Sequence, residues 1–308
     1  MLKTRALVLA KVESSYGTDS TPAAATDSVL CEAPEIEAIS RKLTRANVRS
    51  YIGAFPAVNI GDGVKITFKT EVRGSGTPTT PPEVSPLFRA CNFTETIGGS
   101  NVTYVPNSSD QATAESCTIY FWRHNIQHKA TGCRWTWSLE LKAGEYGKIK
   151  WEFHGIYAGP TDTAIGSGTY DTTIPARLLS AAFTIGGYAG IIASLKIDCK
   201  NSLAMEISAN AATGVLGHFI KDRQMAGSID PEAPTLASYN PWTAWINSTT
   251  AALSIVVGSA AGNKVTITAP AVQLEAPKYG ERDGLLAYEI PIILVPNTGN
   301  DEISIVYA

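Results

Sequence analysis

Clean two-residue alternation of apolar and charged positions dominates the chain. In "VKITFKTEVRG", Val64, Ile66, Phe68 and Val72 point one way, while Lys65, Lys69, Glu71 and Arg73 point the other. That pattern predicts a half-buried strand with one wet, charged face. "CRWTWSLELK" repeats it. Trp135, Trp137, Leu139 and Leu141 take the inward register, and Arg134, Ser138, Glu140 and Lys142 the outward one. After the short loop "AGEYG", Ile149, Trp151 and Phe153 alternate with Lys148, Lys150, Glu152 and His154. The two segments predict neighbouring antiparallel strands whose opposite charges pair across the ladder.

Helical spacing occurs in two places only. Val84, Leu87, Phe88 and Cys91 fall at i, i+3, i+4 and i+7, predicting one short amphipathic helix whose start Pro86 blurs. Around "SYNPWTAWINS", Asn240 and Pro241 make an N-cap and first helical position, with Trp242, Trp245 and Ile246 as the expected buried face.

The order of segments repeats. "LELKAGEYGKIKWEFHGIY", starting at Leu139, reads as a strand, a tight Tyr-Gly loop and a second strand. About 135 residues later "VQLEAPKYGERDGLLAYEIPII" reads the same way. Before each lies a charged strand, a Pro-Glu loop and a short helix. "LKIDCKNSLAMEIS" reads as a further hairpin, and the Gly/Thr/Pro-rich stretch 159–176 as a linker. The expected fold is therefore mainly β, with two tandem β-sandwich or β-barrel domains, 1–158 and 177–308, each flanked by a short α-helix. A chain of 308 residues has room for both.

Composition narrows the function classes. The chain is 44% hydrophobic and 17% charged with a net charge of -3, which is a folded chain with no basic field for nucleic acid or acidic membranes. Its apolar run Ala6–Ala10, cut by Lys11, is too short for a signal segment, and no stretch approaches a membrane span. Five scattered cysteines without CxxC spacing read as reduced thiols.

Chemistry is hard to find. His124 and His128 have a turn between them and no ligand-type neighbours, and "RGSGT" lacks the lysine of a phosphate loop. Glu140, Glu145 and Glu152 could form a carboxylate pair for glycoside hydrolysis, but they sit within dense lysine alternation. Trp122, Trp135, Trp137 and Trp151 could make a sugar platform, although three occupy the inward register. No catalytic residue, cofactor or metal is assigned. A carbohydrate-binding β-sandwich and a glycosidase remain the rival classes.

The opening "KVESSYGTDSTPAAATDSVL" resembles the start of the major tail, or tail tube, proteins of long-tailed phages. The resemblance continues through "TFKTEVRGSGTPTTPPEVSPLFRACNFTE" and "ESCTIYFWRHNIQHKATGCRWTWSLELKAGEYGKIKWEFHGIYAGPTD", covering the first 165 residues well and the rest weakly. It implies a non-contractile siphovirus tail and a virion protein without enzymatic activity, assembled in the bacterial cytoplasm. Subunits of such a protein join edge to edge into stacked rings around a DNA channel. Its partners would be copies of itself, tape measure protein and phage DNA in the lumen, and terminator and tail-tip proteins at the ends, with no membrane. Terminator and baseplate proteins share the broad fold and stay open as alternatives.

Some relatives fuse two tube domains, three chains then making a pseudo-sixfold ring, and the repeat implies that arrangement here. A merely decorative second half would give hexamers instead. The lumen candidates are Arg134, Ser138, Glu140, Lys142, Lys150 and Glu152, the outer surface being the alternative place for that face. Contacts between rings are expected of Arg41, Lys42, Arg45, Arg49, Tyr51 and Phe55 in segment 40–63. Lys221 and Arg223 belong to its expected counterpart, 208–224; ordinary surface loops are the alternative for both.

Overall fold

A computed structural model describes residues 5–110, 112–179, 181–211 and 214–308. The first half opens with β1 (Ala6–Val12) and β2 (Ser28–Val29), then a long hairpin of β3 (Glu32–Leu43) and β4 (Val58–Glu71). Helix α1 (Ser85–Ala90), β5 (Phe93–Ile97) and β6 (Val102–Pro106) lead to β7 (Cys117–Arg123), β8 (Ile126–Lys142) and β9 (Lys148–Asp162). The second half holds β10 (Thr184–Ile185), β11 (Ile192–Asp198), β12 (Asn201–Ile207), β13 (Val215–Arg223) and β14 (Ala226–Pro231). Helix α2 (Pro241–Ile246) precedes β15 (Thr250–Val257), β16 (Val265–Leu274), β17 (Lys278–Arg282), β18 (Leu285–Leu294) and β19 (Ser304–Tyr307). The chain is mainly β, as its alternation predicts.

Strand pairing repeats between the halves. The first half runs β1–β7–β8–β9–β4–β3, every pair antiparallel. The second runs β10–β15–β16–β18–β14–β11 in the same sense. The two Tyr-Gly pairs do not correspond: Tyr146-Gly147 lies in the turn between β8 and β9, whereas Tyr279-Gly280 lies inside β17, which continues the ladder of the interrupted β16 along β18 and turns at Asp283-Gly284. Two glycines make these turns possible. A Cβ on Gly147 would meet Leu141 at 2.5 Å and Val72, just past β4, at 2.9 Å, so a side chain there would force both to shift. Asp283-Gly284, with φ of 50° and 84°, is the two-residue turn that matches strand twist.

The two halves share one sheet. The C-terminal part of β8 pairs with β11 through Leu141↔Leu195, Glu140↔Lys196 and Leu139↔Ile197. Eight antiparallel strands thus run β3–β4–β9–β8–β11–β14–β18–β17 without a break. A second junction joins β19 to β6. One hydrophobic core spans both halves, including Trp137, Trp151 and Phe88 with Leu195, Ile255 and Ile290. Phe88 of α1 anchors its aromatic centre, with ring centroids 4.8 Å from Tyr104 and 4.9 Å, edge-on, from Trp151.

Several predicted local features differ. "LKIDCKNSLAMEIS" is not a hairpin: β11 enters the large sheet, while β12 pairs with β13 in a separate two-stranded one. Trp135 lies outside the core, beside a break in the β8–β9 register between Thr131 and Arg134, and its indole N–H donates to Asn201 O at 3.2 Å. On α2 the Asn240 cap forms as predicted, its Oδ1 accepting from Thr243 N at 3.0 Å. Trp245 and Ile246 nevertheless face outward, leaving Trp242 as the packed aromatic. Within 159–176, Ile165 packs on a small cluster of Leu7, Leu9, Tyr120 and Trp122, and Arg73 Nη1 donates to Asp171 O at 3.0 Å.

A shared sheet predicts shared stability. Leu195→Ala, at the buried junction, should cost about 2–5 kcal/mol and leave a single cooperative transition in urea. Two separated transitions, only one of them shifted, would contradict the coupling.

Candidate assembly surface

The charged face of the eight-stranded sheet is built by register. Thr136↔Glu152, Ser138↔Lys150 and Glu140↔Lys148 pair across β8 and β9 on the side away from the core. Of the six lumen candidates, Ser138, Glu140, Lys142, Lys150 and Glu152 therefore share one face. Their charges are matched locally. Glu140 lies 3.0 Å from Lys142 and, across the junction, 3.4 Å from Lys196. Glu152 lies 2.9 Å from Lys65 and also contacts Lys150. Lys148 is held 2.8 Å from Glu32.

These pairings set the protonation states. The hydrogen bond from Lys142 holds the Glu140 carboxyl below the usual range. At Glu152 burial works in the opposite direction, but Lys150 and Lys65 outweigh it and its carboxyl is also lowered. A glycosidase needs one carboxyl held protonated near neutrality, and both are shifted the other way. Among the described residues no group of three His, Cys, Asp or Glu side chains is placed to hold a metal.

Arg134 leaves the set. Only 1% exposed, it donates to the carbonyls of Glu115 at 3.0 Å, Ala114, and His218 at 3.2 Å, with its guanidinium 4.4 Å from the Tyr16 ring centroid. This residue is a lock between the halves rather than part of an open face. It stays in register with Ser138 and Glu140, opposite His154, but the carbonyls of Ala114, Glu115 and His218 and the Tyr16 ring cover it.

The lock involves residues that pattern reading missed. Glu13 is buried and accepts from Ser116 Oγ at 2.6 Å, Thr118 Oγ1 at 2.8 Å, Gly132 N at 2.7 Å and Gly17 N at 2.7 Å. It fixes the loop that carries Tyr16, whose hydroxyl accepts from His218 N at 2.6 Å. The motif letters were visible in "KVESSYGTDS", but their partners lie more than a hundred residues away. Beside them His154 and His218 stand edge to face, 5.9 Å between centroids.

The predicted contact segment is the far end of the β3–β4 hairpin. Arg41 and Lys42 lie on β3, and Arg45, Arg49, Tyr51 and Phe55 at the tip. The Arg49 guanidinium sits 4.2 Å from the Tyr51 ring and 4.4 Å from the Phe55 ring, and Arg45 sits 5.3 Å from Phe55. Val48 and Ile52 are fully exposed at the same tip. Hairpin β12–β13 occupies the corresponding place between β11 and β14. There Lys221 is exposed, but Arg223 is not a free contact: it bridges Glu302 at 2.9 Å and Asn107 O at 3.0 Å.

The geometry is thus one continuous sheet across both halves, with a face lined by lysines and glutamates and an exposed hairpin tip. A family model for the phage tail tube protein matches residues 3–292, and the chain belongs to that family. Comparison with curated proteins finds no match. Membership makes the protein a structural tail component of the virion that self-assembles into a tube.

The histidine pair gives a pH prediction. Burial first, then the neighbouring His218 and Lys65, push His154 down to about 4 against the opposing Glu152 charge; burial lowers His218 too. An unfolded histidine, titrating near about 6.5, takes up its proton before the folded one. Stability should hold above that value and fall as pH drops toward 4, before the paired carboxylates titrate. His154→Gln should flatten the fall in the urea midpoint over that window; an unchanged slope would contradict the assignment.

Proposed function

We propose that three chains close into one ring of a phage tail tube, each chain supplying two tube modules. The observation that carries this reading is the repeated strand pairing inside one unbroken sheet. The β8–β11 joint already performs, within the chain, the edge-to-edge pairing that neighbouring subunits would need. Three copies of the eight-stranded sheet supply 24 strands, and a heterologous contact that closes gives a ring instead of a filament.

In this reading Ser138, Glu140, Lys142, Lys150 and Glu152 face the lumen, with tape measure protein and then phage DNA as its occupants. A polyanion binds where lysine and arginine charge is unopposed. Glu140 is shared by Lys142 and Lys196 and Glu152 by Lys65 and Lys150, so the wall offers water and mixed charge with its lysines partly opposed. The protein acts as a conduit without catalysis. Terminator and tail-tip proteins would cap the two ends.

Rings stack through the arm. Arg41, Lys42, Arg45, Arg49, Tyr51 and Phe55, with exposed Val48 and Ile52 beside them, form a preorganised tip suited to the next ring; Lys221 adds a second cationic point. The test is negative-stain electron microscopy with light scattering on purified protein. The natural chain should form hollow tubes when a tail-tip initiator is supplied. The double variant Arg49→Ala/Tyr51→Ala should stop at single rings with stability within about 0.5 kcal/mol of the natural chain. Monomers that persist with the initiator present would overturn the tube reading, and full-length tubes from the variant would overturn the role of the tip.

A further inference from the structure

The repeat predicts which surface of the next chain each free edge meets, residue by residue. Among the described residues no strand pairs with the outer edge of β3 or with the outer edge of β17. These are the two ends of the eight-stranded sheet. Unpaired edges in a sheet this long invite another strand.

Correspondence between the modules fixes the equivalents of both edges. In the first module Ile36, Ile66 and Phe153 form one row across β3, β4 and β9. In the second, Leu195, Ile229 and Ile290 form the same row across β11, β14 and β18. Trp137 faces Trp151 two positions before Phe153, and Tyr279 faces Tyr288 two positions before Ile290. Strand β3 is therefore the counterpart of β11, and β17 the counterpart of the C-terminal part of β8. The counterparts are already paired, to each other, at the internal joint.

Resting on the ring reading, we infer that β3 of one chain pairs antiparallel with β17 of the next, in the register of the β8–β11 joint. Transposing that joint places Ile36 opposite Asp283, Glu37 opposite Arg282, and Ala38 opposite Glu281. The occupant of each edge is a second copy of this chain.

Burial supports the assignment. Trp137 and Ile149 are 1% and 2% exposed beside the internal joint, while their counterparts Tyr279 and Leu286 are 60% and 55% exposed at the open end. Trp137 is also packed by Phe88 and Phe93 of its own half, whereas Tyr279 and Leu286 lie open beside the unpaired edge. Charge agrees as well. At the internal joint Lys196 meets Glu140 on the wet face. At the transposed joint the signs are reversed, with Glu37 meeting Arg282, and Lys65 stands opposite Glu37 in its own sheet. Arg282 is held at the edge beforehand by Asp230 at 3.5 Å and Glu232 at 3.6 Å.

One difference is chemically sensible. The core-facing positions Leu139 and Leu141 of the internal joint become Glu281 and Asp283 at the open edge. A permanent joint can be apolar, but an edge that waits in water before assembly gains solubility from charge. The external joint would then be the reversible one.

Disulfide trapping with Ala38→Cys/Glu281→Cys reads the register directly, because residues directly opposite across strands bring Cβ atoms within bonding range. Four of the five native cysteines are buried, and each single variant serves as a control. Tubes formed by the double variant and then oxidised should give covalent dimers and trimers on a denaturing gel, with single variants remaining monomeric. Tubes without such bands overturn the β3–β17 pairing while leaving the tube reading standing. If neither variant nor natural chain forms tubes with the initiator, the tube reading falls and this inference with it. Hydrogen exchange on the unaltered protein gives a second readout: amides in 35–39 and 278–282 should slow at least tenfold on assembly. Unchanged exchange in both segments would overturn the pairing without reliance on any variant.

Discussion

Everything in this molecule follows from how one open strand edge is satisfied. The C-terminal part of β8 has β9 on one side and would otherwise expose its backbone donors and acceptors on the other. Strand β11 takes that edge, with Leu139, Leu141, Leu195 and Ile197 sealing the core side and Glu140 and Lys196 the wet side. That single pairing turns two modules into one sheet and one core. It also leaves the same problem unsolved at the sheet's two ends.

The charged face obeys a related constraint. Strands that show one side to water need polar residues there, but a wall of one sign would repel itself or hold a polyanion fast. Glu152, set between Lys65 and Lys150, and Glu140, set between Lys142 and Lys196, temper the positive charge of this face without cancelling it. Each exposed pair contributes little to stability, because water and salt screen it. Its effect is a smoother potential along this face.

Period-two alternation made the long strands legible, because β4, β8 and β9 each bury one face and wet the other. The repeated Tyr-Gly pairs pointed to related β8–β9 and β16–β18 segments, but the second pair lies within β17 and the turn falls at Asp283-Gly284 instead. Long-range partners were hidden. Arg134 and Trp135 keep register with the rest of β8, but parity carries no sign of the cover that His218 and Asn201 bring from the second half. Arg223 looked like a free cation until Glu302, far along the chain, closed on it. On α2 the spacing of Trp245 and Ile246 suggested a core face, but a helix of six residues packs mainly through Trp242 and turns the rest outward. The β11–β12 segment looked like a hairpin because sequence proximity favours local pairing; the competing edge of β8 captured β11 instead.

The decisive observation is the symmetry of the assembled tube, measured by cryo-electron microscopy at a resolution that separates strands. The account predicts three chains per ring and 24 lumen-lining strands, with the β8–β11 joint alternating with the joint between chains. Six chains per ring, with the second module outside the lumen wall, would contradict it.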